Sequence, residues 1–140
     1  MAVEFTSLKK DFRLTQKAKI TEWLNVISYL ENKEIENLNF IFCTDAYLLS
    51  MNKKQLKHNF YTDIITFDYS EKSKLSGDIF ISIDRVKDNA KIFSVSFPNE
   101  LRRVMAHGVL HLCGYKDKTI SDSKKMKRKE EEALACWGNM

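Results

Sequence analysis

The stretch HGVLHLCGYKD, residues 107–117, decides how the rest of the chain is read. His107 and His111 stand four apart. On an α-helix that spacing leaves two side chains roughly 40° apart around the axis, on one face and one turn removed. Two imidazoles so placed can converge on a zinc ion. Gly108 and the apolar Val109, Leu110 and Leu112 fill the positions between. Gly114 is the residue type that adopts the left-handed conformation ending a helix. Beyond it the chain can fold back and offer Asp117 as a third ligand. Three protein ligands and an open position describe a catalytic zinc site rather than a closed structural one. The competing reading is a pair of half-buried histidines on a core helix. Gly114 and Asp117 favour the metal, because His-x-x-x-His-x-x-Gly-x-x-ligand is the spacing of the extended zinc helix.

The residue after the first histidine sharpens the chemistry. In zinc peptidases it is a glutamate that acts as general base; here it is Gly108. A standard peptidase mechanism lacks its base. A zinc ion that polarises a phosphoryl oxygen needs no such glutamate, so the site leans toward phosphodiester chemistry.

Working outward, SFPNELRRVMAHGVLHLCG places Pro98 near the first turn and Gly114 past the last, the usual asymmetry of a helix. Upstream, DIITFDYS and GDIFISID read as strands. The short KSKLSG between them calls for an antiparallel hairpin, since a helical crossover needs more chain. AVEFTS and NLNFIFCT read as two further strands. TQKAKITEWLNVISYLENKE is an amphipathic helix with Ile20, Leu24, Ile27 and Leu30 on one face and Thr15 as its N-cap. DAYLLSMNKKQLKHN is a second helix capped by Asp45, RVKDNAKIFS a third, and SDSKKMKRKEEEALACW the last. Strands and helices in this order predict an α+β fold, an α/β sandwich around one small mixed sheet, as a single domain over residues 1–140.

Composition agrees. Of 140 residues 44% are hydrophobic, enough for a core, and the net charge of +4 is a mild bias toward anionic partners such as nucleic acid. Cys43, Cys113 and Cys136 are odd in number and widely spaced, which argues against a disulfide framework and for a reducing cytosol. No apolar run approaches the roughly 20 residues of a membrane span, and the opening residues lack the apolar core of a signal peptide. The expectation is a soluble cytoplasmic protein.

HGVLHLCGY, residues 107–115, resembles the signature of the YbeY family, His-Gly-x-Leu-His-Leu-x-Gly-Tyr-Asp-His. YTDIITFDY is similar to that family's Thr-Asp-Val-Leu-Ser-Phe strand and SGDIFIS to its Gly-Asp-Ile-x-Ile strand. The blocks come in the family's order and spacing over roughly residues 38 to 117. The resemblance implies a zinc-dependent, single-strand-specific endoribonuclease of ribosomal RNA processing, 16S rRNA 3'-end maturation and ribosome quality control. It implies one zinc ion per chain, single-stranded or ribosomal RNA as substrate, and the small ribosomal subunit and an assembly GTPase as partners. It assigns His107 and His111 as metal ligands, with His111 also catalytic. Asp117 stands where the family has its third histidine, and a carboxylate is an acceptable, harder zinc ligand. A second departure is Leu56, at the register of a family arginine held to be catalytic; Lys57 and His58 beside it are basic and either replace it on substrate or, as His58 reads more simply, belong to a solvated helix end. Two other readings stay open: a non-catalytic ribosome-assembly factor with a structural zinc, which Leu56 favours, and a zinc hydrolase acting on another substrate.

Four more groups of residues are candidates. Arg103 precedes His107 by one turn and either meets a phosphate, as a catalytic and substrate-binding residue, or pairs with Glu100. Asp63 and Asp78 lie near strand ends and either orient a ligand histidine or cap turns. Cys113 points off the histidine face and reads as a small core residue. The basic half of KKMKRKEEE either touches RNA backbone or is a solvated face. Phe60, Tyr61, Phe67 and Tyr69 offer stacking surfaces for unpaired bases, though strand alternation buries about half of them.

Overall fold

The computed structural model describes residues 2–56 and 61–140, with the backbone alone at Leu56. Four strands and five helices follow one another as β1 (Ala2–Ser7), α1 (Lys17–Leu30), β2 (Glu34–Cys43), α2 (Asp45–Leu56), β3 (Ile64–Asp68), β4 (Lys74–Ser82), α3 (Ile83–Ile92), α4 (Phe97–Leu112) and α5 (Ile120–Gly138). The strands form one mixed sheet in the order β1-β2-β4-β3. β1, β2 and β4 are parallel, and β3 returns antiparallel to β4 with Ile65 opposite Phe80. The expected α+β class, mixed sheet and hairpin are therefore all present.

Strand alternation divides the side chains between two layers. Phe40, Phe42, Leu75, Ile79 and Ile81 are buried with Trp23, Leu24 and Ile27 of α1 and Leu101, Val104, Met105 and Val109 of α4. On the other side, Cys43, Ile65, Phe67 and Phe80 meet Leu48 and Met51 of α2. α5 backs this first layer: the Trp23 indole N–H donates to the Ala133 carbonyl at 2.8 Å and the Trp23 ring meets Trp137 edge-on. Among the described residues no helix is long and apolar enough to cross a membrane.

Two helix starts differ from the expectation. Gln16, not Thr15, precedes α1, in a left-handed conformation and without a side-chain cap. The chain must first drop Leu14 into the core, and it turns at Gln16 to do so. At α2 the cap is Thr44, whose hydroxyl accepts from the Tyr47 N–H at 3.1 Å. Asp45 instead accepts from the Ser82 hydroxyl and the Arg85 guanidinium, both at 2.7 Å, and so ties the start of α2 to the start of α3.

Candidate functional site

α4 packs on β3 and β4, and at Gly108 there is no room for a side chain between them. A Cβ there would stand 3.0 Å from Ile79 Cδ1 and 3.1 Å from Ile64 Cδ1. Any longer side chain at 108 points into the sheet, away from the histidine face. The peptidase glutamate is thus absent for a packing reason as well as a chemical one.

α4 ends in a Schellman turn. The Tyr115 N–H donates to the Leu110 carbonyl at 3.1 Å and the Gly114 N–H to the His111 carbonyl at 3.0 Å. Gly114 has φ +108° and nothing within 4 Å of its Cβ position, so conformation rather than space demands glycine there. The reversal is anchored by the Tyr115 hydroxyl, which donates to Glu31 at 2.7 Å. It carries Asp117 back over α4, and an Asp117 carboxylate oxygen stands 3.3 Å from His107 Nε2.

The other nitrogen of His107 is held from behind. Nδ1 is 2.6 Å from a carboxylate oxygen of Glu130, on α5. Glu130 is only 4% exposed, and its second oxygen accepts from Arg103 at 3.0 Å. A carboxylate accepts, so Nδ1 carries a proton; Nε2 is the nitrogen that faces Asp117, and in the neutral ring it is the one free to bind a metal. Burial disfavours the protonated imidazole, but the hydrogen bond and charge of Glu130, with Asp117 and Asp63 behind it, outweigh burial and raise the His107 pKa. Burial likewise opposes ionisation of Glu130, yet the hydrogen bond from His107 and the charge of Arg103 hold its pKa below the ordinary value. Nothing in the sequence pattern marked Glu130. It sits in a run of charges that reads as a solvated face, and only the packing of α5 on α4 sets it apart.

Arg103 shares the histidine side of α4 and lines the cleft, where carboxylates hold it. Its guanidinium donates twice to Glu100, which is 1% exposed, and once to Glu130, with Asp63 at 3.8 Å. Of the two readings of Arg103, the pairing with Glu100 is present, and Glu130 adds a second carboxylate to it. Asp63 stays near the site through Arg103, also accepts from Asn89 at 3.2 Å, and has its pKa raised by burial. Asp78 does not orient a histidine. It faces the opposite side of the sheet from α4, where Asn39 donates to it at 2.9 Å; strand parity excludes the role. Lys57, His58 and Phe60 lie outside the described residues.

Cys113 packs half-buried against the core, as expected of a small core residue, and burial pushes its thiol pKa up to about 12. Of the three proposed ligands, two meet. Zinc bonds of about 2.0–2.1 Å at the tetrahedral angle separate two donors by roughly 3.3 Å, which is the His107–Asp117 distance. The third, His111, is exposed one turn on, its ring nearly parallel to that of His107 with centroids 6.3 Å apart. Among the described residues no three His, Cys, Asp or Glu side chains stand close enough together to form a metal site. A cleft of about 500 Å³ opens from His107 and Asp117 along α4 and α5.

Fold and site together define a protein with a histidine–carboxylate centre on one sheet-crossing helix and the loop behind it. A family profile described as Endoribonuclease YbeY matches residues 3–138. The endoribonuclease YbeY of Cytophaga hutchinsonii is 55% identical over 125 residues, 89% of this chain and 87% of that protein. The endoribonuclease YbeY of Flavobacterium johnsoniae is 49% identical over 127 residues, 91% of each chain. The solution structure of TM1509 from Thermotoga maritima aligns with a TM-score of 0.71 at 26% identity, covering 99% of this chain and 91% of that one. The chain belongs to the YbeY endoribonuclease family.

Proposed function

We propose that this chain is a zinc-dependent endoribonuclease that cuts single-stranded RNA in ribosomal RNA maturation. The activity is the one its relatives' shared name states. The observation that carries the site is the His107 imidazole, clamped at Nδ1 by Glu130 and directed through Nε2 toward Asp117. His107, His111 and Asp117 would hold the ion, and two imidazoles with one carboxylate suit zinc. Zinc, when bound, supplies Lewis-acid charge to a scissile phosphate. The protein's own part is orientation: Glu130 fixes the tautomer and direction of His107, Arg103 holds Glu130 in place, and the Gly114 turn delivers Asp117. The same reading has the protein act in the cytoplasm on the small ribosomal subunit with an assembly GTPase, which family resemblance alone supports.

The rival reading is an assembly factor that binds ribosomal RNA without cutting it, and the occupied state of Arg103 favours it. Metal analysis and RNA cleavage on wild type and His111→Ala separate the two. Wild type is expected to carry about one zinc per chain and to cut unstructured RNA slowly, with both properties lost in the variant. Cleavage by a zinc-free His111→Ala at the wild-type rate would place the activity outside this site.

A further inference from the structure

The cleft that begins at His107 has a second end. There it is lined by Phe93 and Val95, between α3 and α4, and by Leu134 of α5. Phe93 is 58% exposed and Val95 38%, whereas the other described phenylalanines belong to or pack against the two cores. The turn that presents them is a second Schellman motif. The Val95 N–H donates to the Ala90 carbonyl at 3.0 Å and the Ser94 N–H to the Lys91 carbonyl at 3.2 Å. Its left-handed position is Ser94, φ +54°, where glycine is the usual residue. The aromatic is therefore held at the cleft by a turn with three backbone hydrogen bonds, counting Phe93 N–H to Asn89 at 2.9 Å.

Charge along the cleft is uneven. At the His107 end, Arg103 is paired with Glu100 and Glu130, and Asp63 stands 3.8 Å from it. Among the described residues that line this end of the cleft, the one arginine is already paired with carboxylates. Lys127, one helical turn before Glu130 on the same face of α5, lines the cleft, is exposed and makes no ion pair with a described carboxylate.

We infer that the Phe93 end of this cleft is a subsite for one unpaired nucleotide, with the base stacked on Phe93 and its phosphate met by Lys127. The inference rests on the RNA-cleaving reading and deepens it. A base inside a duplex is covered on both faces by its neighbours and has none to offer Phe93; a base in a single strand does. The arrangement would make strand selectivity a property of the cleft rather than of the histidine centre. The cationic contact would come from α5, because the arginine nearest the centre is already matched.

The probe is a short single-stranded RNA carrying 2-aminopurine, used alone and annealed to its complement, with the full-length protein. Wild type should quench the fluorescence of the single strand and not of the duplex. Phe93→Leu, which keeps apolar bulk at an exposed position, should weaken binding about tenfold and abolish the quench. Lys127→Ala should weaken binding and lower the salt slope by roughly one ion. Ile92→Ala, 71% exposed beside Phe93 but outside the cleft, should bind as wild type. Zinc content should be the same in all four proteins. Wild-type binding and quench in Phe93→Leu overturn the subsite while leaving cleavage by the histidine centre standing. A shift of Phe93→Leu to a smaller species in sedimentation, with RNA binding unchanged, overturns it in favour of a contact between copies. Wild type that neither binds nor cuts RNA overturns this inference and the proposed function together.

Discussion

Glu130→Gln keeps the volume of the buried side chain and removes its charge. Glu130 makes one hydrogen bond with His107 and one with Arg103, and it is 4% exposed. Hydrogen bonds to charged groups contribute about 1.5–3 kcal/mol each. Breaking a buried ion pair from one side costs about 3–5 kcal/mol when the remaining charge is left alone. Arg103 is not left alone, since Glu100 still holds it, so the loss falls near the lower end, about 3 kcal/mol. For a chain of this length that is a drop in Tm of about 10 °C. The metal effect is separate. The glutamine amide can donate to Nδ1, which selects the tautomer whose proton sits on Nε2, the nitrogen facing Asp117. Losing the carboxylate partner of a ligand histidine lowers metal affinity about 10–100-fold. Thermal melts with and without chelator, and zinc titration with a competing chromophoric chelator, measure both quantities. A variant that melts within about 2 °C of wild type and binds zinc equally well would refute the clamp.

Three further outcomes follow from the same contacts. Gly108→Glu should destabilise the fold by more than about 4 kcal/mol, because it drives a charge against Ile79 and Ile64; soluble yield and melting temperature check it, and no peptidase activity should appear. In metal-stripped protein, the stability from the His107–Glu130 pair should be full between about pH 4.5 and 6.5. It should fall above that window as His107 loses its proton through its raised pKa, and below it as Glu130 gains one through its lowered pKa. Denaturant melts across pH should show this dome, flattened in His107→Gln. Ser94→Gly should stabilise the chain by about 0.5–1 kcal/mol, since glycine adopts the left-handed turn without strain; an equal or lower denaturation midpoint would show that Ser94 carries no strain.

Among the described residues, local periodicity and turn chemistry were enough to locate the four strands and five helices, because a strand or helix declares its buried face over a few residues and its ends at Pro98 or Gly114; the hairpin turn falls earlier than expected, since Lys74 to Gly77 of KSKLSG already belong to β4. The pairing of His107 with Asp117 was legible for the same reason: one helical turn and one glycine reversal lie within 11 residues. What sequence could not place were contacts between elements. Thr44 rather than Asp45 caps α2, because Asp45 is drawn to Ser82 and Arg85. Asp78 faces away from α4, a matter of which side of the sheet the helix covers. Arg103 is taken by Glu100 from its own helix and Glu130 from another. Glu130 itself is 23 residues from His107 in a charged run, and the pattern of that run is the same whether it faces solvent or an imidazole. Only the docking of α5 onto α4 removes water from that one carboxylate, and the loss of water is what makes its hydrogen bond to His107 matter.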